Sequence, residues 1–148
     1  MNTQTTSRAE AAPEGTPRAI RWILGALLGF LALNAFGGAW YGLSGAPNVP
    51  REWLEGSPFS SYLIPSLFLG VVVGGACLAA CIGVLRKSRF TPPLAMSAGV
   101  LLLAWIAVQV ALIGWVSWLQ PAVAICGAVI VLLAAPLVPR EPPRAAAR

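Results

Sequence analysis

Side chains able to do chemistry are scarce in this 148-residue sequence. There is no histidine and there are three cysteines, Cys77, Cys81 and Cys126. Cys77 and Cys81, four residues apart, would share one helix face. If the apolar stretches are membrane-spanning helices, Cys77 lies ~21 Å below the outer side and Cys126 ~6 Å below it. A separation of ~15 Å excludes one metal or disulfide site holding all three, and small packing residues are the reading left for them. Without histidine, haem ligation through imidazole is impossible. No Ser/His/Asp set, glycine-rich phosphate loop or zinc-spaced cluster appears. The sequence therefore predicts no catalytic residue, no cofactor and no metal.

What remains is polar but uncharged, or charged but outside the apolar stretches. Asn34 and Gln109 are polar residues inside such stretches, at depths differing by ~6 Å in the outer half. Trp105 precedes Gln109 by four residues and shares its face. The three form a candidate intramembrane contact. One reading is an interhelical hydrogen bond worth about 0.6 kcal/mol; the other is a site for a neutral polar molecule. The segment Ser44–Ser61 carries Arg51, Glu52, Trp53 and Glu55, a candidate partner surface. Pro50 could open a short helix through Leu54, with Trp53 dipping into headgroups and the charges in water. A solvated amphipathic cap is the plainer reading of these four residues.

The elements that must position these residues follow from composition. Hydrophobic residues make up 57% of the chain and charged residues 10%, against about 25% charged in soluble domains. An ordinary globular domain cannot clothe its surface so sparsely. Charge-free runs at 23–43, 63–85 and 94–114 are each long enough to cross ~30 Å of hydrocarbon as a helix. A fourth, 122–138, reaches that length if it starts at Trp118. Runs such as Val71–Val73 and Leu101–Leu103 lack the alternation of a β-barrel. The expected fold is an all-α membrane protein, a four-helix up-down-up-down bundle over 20–139. The segments 1–19 and 140–148 read as disordered tails. Thr91 before Pro92 and Pro93, and Ser57 before Pro58, are expected helix caps. Pro65 either kinks the second helix or marks a start nearer Ser61. Pro121 suits the first turn of the fourth helix, and Pro136 and Pro139 its end.

Nine of the ten Lys and Arg residues fall on one side of such a bundle, and Arg51 alone on the other. By the positive-inside rule both termini are expected to be cytoplasmic. Trp40, Tyr41, Trp53, Phe59, Tyr62, Trp115 and Trp118 collect on the outer side, at the depth that amphipathic rings prefer. The net charge of +5 points to the lipid bilayer as partner. It does not point to nucleic acid, for which no binding motif is present. Small residues supply helix contacts in lipid. Gly70, Gly74, Cys77 and Cys81 form one stripe, Gly25 and Gly29 a second, and Ala104, Ala107, Ala111 and Gly114 a third. The inner half of the second helix is expected to make the closest contact in the bundle.

The run Gly56-Ser-Pro-Phe-Ser-Ser-Tyr-Leu-Ile-Pro65, followed by a small-residue helix, resembles a pattern in small bacterial four-span membrane proteins of uncharacterised role. The run Ile113-Gly-Trp-Val-Ser-Trp-Leu-Gln-Pro121 does likewise. The resemblance implies a multi-pass protein of the bacterial cytoplasmic membrane and carries no activity with it. The function that follows is a structural or accessory one without catalysis, exercised through a membrane-protein partner or a homo-oligomer. The alternative is a small-solute or lipid-like carrier acting as an oligomer. Small drug exporters are the analogy for it, although their intramembrane carboxylate has no counterpart here.

Overall fold

The computed structural model describes residues 18–55 and 57–138. Four helices run in alternating directions, all helical and without strands among the described residues: α1 (Arg18–Leu43), α2 (Leu63–Leu85), α3 (Thr91–Ile113) and α4 (Leu119–Leu137). Each is long and apolar enough to cross a membrane, and each meets its own backbone hydrogen bonds as lipid requires. The expected four-helix bundle is the observed fold. Each helix packs on its sequence neighbours, and α1 closes the ring against α4.

The ends depart from the sequence reading in instructive ways. α1 begins at Arg18, so Arg18 and Ala19 belong to the helix, not to a disordered tail; the rest of that tail, 1–17, and the segment from 139 on, with Pro139, lie outside the described residues. Arg21 is on the helix too, and its Nη2 donates to the Val84 carbonyl at 3.0 Å. A long side chain that reaches back to the interface lets a charge sit on a spanning helix. Thr91 is the first residue of α3 and not its cap; its hydroxyl crosses to donate to the Gly83 carbonyl at 2.8 Å. Ser88 takes over the local turn instead, its Oγ accepting from the Phe90 N–H. Ser57 caps no helix either: its Oγ donates to Leu54 O and accepts from Phe59 N–H, which closes a turn in the outer loop.

α2 begins at Leu63, which places Pro65 third in the helix, where no N–H is needed. The irregularity lies further in: Phe68–Gly74 forms wide π turns between two α-helical ends, Leu63–Leu67 and Gly75–Leu85. Pro121 lies in the first turn of α4, which starts at Leu119, and Pro136 in its final 3-10 turn.

Small residues run the length of the α1–α2 seam. A methyl on Gly25 would meet Val84, one on Gly29 would meet Cys81 Sγ, and one on Gly70 would sit 2.8 Å from Ala39 Cβ. Cys77 and Cys81 are buried in that seam as packing residues, and the Cys81 thiol donates to Gly25 O at 3.3 Å. A second close approach lies between α3 and α4. A methyl on Gly99 would lie 2.8 Å from Val131 Cγ2 and 3.0 Å from the Gly127 carbonyl oxygen. On α3 the buried face is Ala95, Ala98, Gly99, Leu102 and Ile106, while Ala104, Ala107 and Ala111 of the expected stripe are exposed. On a helix apolar all round, two faces offer small residues. Gly127 on the neighbour decides which one is used.

The half of the bundle that holds Arg18 and Leu85, called inner after the orientation expected from the sequence, is solid. Leu24, Leu28, Cys77, Ala80, Val84, Ala95, Ala98, Ile130 and Ala134 are all at most 1% exposed. The outer half is built differently.

Candidate functional site

Between the outer halves of all four helices lies a cavity of about 370 Å³. Asn34 of α1 and Trp105 and Gln109 of α3, the expected intramembrane contact, all line it. They do not meet as expected, however. Asn34 Nδ2 donates to Phe30 O of its own helix at 2.9 Å. Among the described residues no hydrogen bond joins Asn34 to Gln109. A side chain one turn above a carbonyl can satisfy itself locally, which leaves the Asn34 oxygen and the half-buried Gln109 amide facing the cavity.

A second hollow, of about 550 Å³, opens sideways between α2 and α3. These two helices pack closely at their inner ends, where Gly83 meets Leu94 and Thr91. They diverge toward the outer side. Phe68 and Trp105 bridge the gap with stacked rings, 5.0 Å between centroids and 24° between planes. Such pairs favour offset stacking because of the ring quadrupole. Trp53, Trp105, Gln109 and Ile113 line both hollows and form the partition between them.

The outer loop roofs this partition. Arg51–Leu54 is the short helix expected after Pro50, of 3-10 type. Trp53 is half-buried over the two hollows. Arg51, Glu52 and Glu55 are exposed. Two phenols tie the loop down, Tyr62 donating to Pro50 O at 2.6 Å and Tyr41 to Pro47 O. Partial burial, reinforced by the Glu52 carboxylate, raises the Tyr62 phenol above its ordinary 10.0. Gly45, Ala46 and Asn48 take left-handed backbone conformations in the turn that sends the chain back over the bundle.

Sequence reasoning missed Gln120. Its side chain is 4% exposed and closes the whole α3–α4 turn. Oε1 accepts from Val116 N–H at 3.0 Å and Ser117 N–H at 3.2 Å, while Nε2 donates to Gly114 O at 3.0 Å. Gly114, at φ 71°, turns the chain out of α3. The signal was a lone glutamine in a turn without charges, just before the proline of the next helix. Phe68 was likewise unmarked, since an aromatic in an apolar run shows no periodicity of its own.

Among the described residues no group of three or more Cys or Glu side chains could hold a metal. The side chains facing the two hollows are amides, hydroxyls, indoles and hydrocarbon. Such surfaces can hold a neutral molecule through hydrogen bonds and stacking, and they offer no base of useful strength at neutral pH.

These features define a multi-pass α-helical membrane protein, solid in its inner half and hollow in its outer half. No protein-family model, curated protein or solved structure matches the chain.

Proposed function

We propose that this chain is an accessory protein of the bacterial cytoplasmic membrane, without catalysis of its own, with both termini cytoplasmic. It acts through a membrane-protein partner or a homo-oligomer. The observation that carries this reading is the one-ended cavity. Its floor is the packed inner half, and among the described residues no carboxylate, amine or guanidinium lines it. Coupled transport uses ionisable groups at that depth. The resemblance of the Ser57–Pro65 and Ile113–Pro121 runs to small bacterial four-span proteins supports the location, and the nine-to-one division of Lys and Arg supports the orientation.

Affinity purification from the native membrane tests the role. A stoichiometric protein partner is expected. A bound solute lost on Asn34→Leu or Gln109→Leu substitution, with no protein partner, would replace this reading with the carrier. The volume of the outer cavity favours that second reading to the extent that it admits a small neutral molecule. Alkaline-phosphatase fusions test orientation: activity is expected after Gly56 and none after Ser88 or Arg148. An active fusion at Arg148 would overturn the orientation.

A further inference from the structure

At the Arg-rich end of the bundle, two hollows of about 520 and 380 Å³ lie side by side. Arg21 and Lys87 line both. Arg18 is added in the first, and Arg89 in the second. We propose that this pair of pockets binds one anionic lipid carrying two phosphodiester groups, one phosphate seated in each pocket. The proposal rests only on the membrane-spanning fold, and stands whether or not the accessory role does.

Charge is the first argument. Among the described residues the acidic side chains are Glu52 and Glu55, on the loop at the opposite end of the bundle. Four cations therefore gather here with no carboxylate of the described chain beside them. Like charges held at a low-dielectric boundary repel, and an anion between them relieves this. Pockets of this kind between spanning helices are where phosphate headgroups bind.

Preorganisation is the second. One Arg21 nitrogen is fixed on Val84 O, near the last turn of α2, where a cation is favoured. The remaining donors of its guanidinium are available to an anion. Lys87 stands at φ 54°, a left-handed turn position, with its N–H on Val84 O. That turn sets it beside both hollows. The Arg89 guanidinium lies 4.7 Å over the Phe90 ring, which holds it at the interface. The start of α3 adds no backbone donors: Phe90 and Thr91 N–H are bonded to Ser88, and Pro92 and Pro93 have none. Side-chain cations must do the binding.

The walls select the source of the phosphate. Trp22, Val84 and Leu85 line the first pocket, and Leu24 and Leu137 the second. Apolar walls under a cationic rim match a headgroup with its acyl chains. Free phosphate or a nucleic-acid backbone would leave those walls bare. Two pockets sharing two cations suit two linked phosphates better than one.

The test uses the full-length protein in mild detergent and native mass spectrometry. The probes are cardiolipin with two phosphates, phosphatidylglycerol with one, and zwitterionic phosphatidylcholine. One cardiolipin per chain should be retained, more strongly than phosphatidylglycerol, with phosphatidylcholine lost. Arg21→Gln and Lys87→Gln should each weaken retention about fivefold, and Arg51→Gln on the outer loop should leave it unchanged. Lys87→Arg, which keeps the cation, should leave retention near wild type. The proposal fails if the Arg21→Gln/Lys87→Gln variant keeps cardiolipin at wild-type strength, or if Arg51→Gln loses it equally. Equal retention of phosphatidylglycerol and cardiolipin would also defeat it, and displacement by inorganic phosphate would assign the pockets to the free ion.

Discussion

One methyl group placed at two positions should move stability in opposite directions. Gly99→Ala puts that methyl 2.8 Å from Val131 Cγ2, 3.1 Å from Ile130 Cγ2 and 3.0 Å from the Gly127 carbonyl oxygen. Two of these neighbours are β-branched and hold few rotamers, and the third is backbone, so none can yield without moving α4. Overpacking of this type costs roughly 1–3 kcal/mol. Alanine in place of a helical glycine gains roughly 0.5–1 kcal/mol, which leaves Gly99→Ala a net loss of up to about 2.5 kcal/mol from the same two principles. At Gly75, by contrast, nothing lies within 4 Å of the added methyl. Only the helical gain remains there, so Gly75→Ala should be more stable than wild type. Unfolding in mixed micelles by titrated denaturing detergent, followed by tryptophan fluorescence, reads both. A Gly99→Ala protein at least as stable as wild type would refute the close α3–α4 approach. A destabilised Gly75→Ala protein would show that its face is occupied.

Gln120→Leu removes three hydrogen bonds from the α3–α4 turn and should cost about 2–4 kcal/mol, at roughly 1 kcal/mol per bond with some water re-entering; an unchanged detergent midpoint would mean that the turn holds without it. In a double-mutant cycle, Asn34→Leu and Gln109→Leu should be additive within about 0.5 kcal/mol, because Asn34 is bonded to Phe30 O, and measurable coupling would put a bridging molecule between them. Gly74→Ile, whose first methyl would meet Phe36 at 3.1 Å and Ala35 at 3.3 Å, should lower the melting temperature in detergent, while Val72→Leu on an exposed face should not; equal behaviour would contradict the packed seam. In a Tyr41→Phe background the phenolate absorbance of Tyr62 should titrate above 10.0. The phenol is raised on folding, so its contribution to stability is complete below the unfolded value and lost as pH rises through the folded one. A midpoint at or below 10.0 would mean that the loop does not cover it.

The spans were legible because lipid imposes one rule on every residue of a crossing helix, and 23–43, 63–85 and 94–114 obey it without a charge. The misplaced start of α1 shows the limit of that rule. Arg18 and Arg21 read as boundary markers, yet the guanidinium of Arg21 folds back on Val84 O while its backbone stays helical. Depth is linear along a helix, which is why Asn34, Trp105 and Gln109 could be placed together in the same half of the bundle. Azimuth is not: which face of α3 turns inward depends on Gly127 of α4, and no amphipathic pattern on so apolar a helix reveals it. Gln120 and Trp53 were illegible for a related reason, since a turn's internal bonds and a loop's path over a bundle are set by groups brought together only on folding.

The wide turns of Phe68–Gly74 set the phase of α2 as well as its shape. At five residues per hydrogen-bonded loop, such turns slow the angular advance along the helix relative to ordinary ones. Ser66, Gly70 and Gly74, spaced by four, thereby stay turned toward Gly42, Ala39 and Ala35, while beyond Gly74 the contacts pass to Cys81 and Val84 with ordinary helical spacing. A π turn holds one residue more than the α turn it replaces. Shortening Val71–Val73 by one would bring the outer and inner portions into a single phase, and swing Ser66 and Phe68 together off their present bearings. The stack on Trp105, and with it the partition between the two outer hollows, thus depends on the register that these wide turns set.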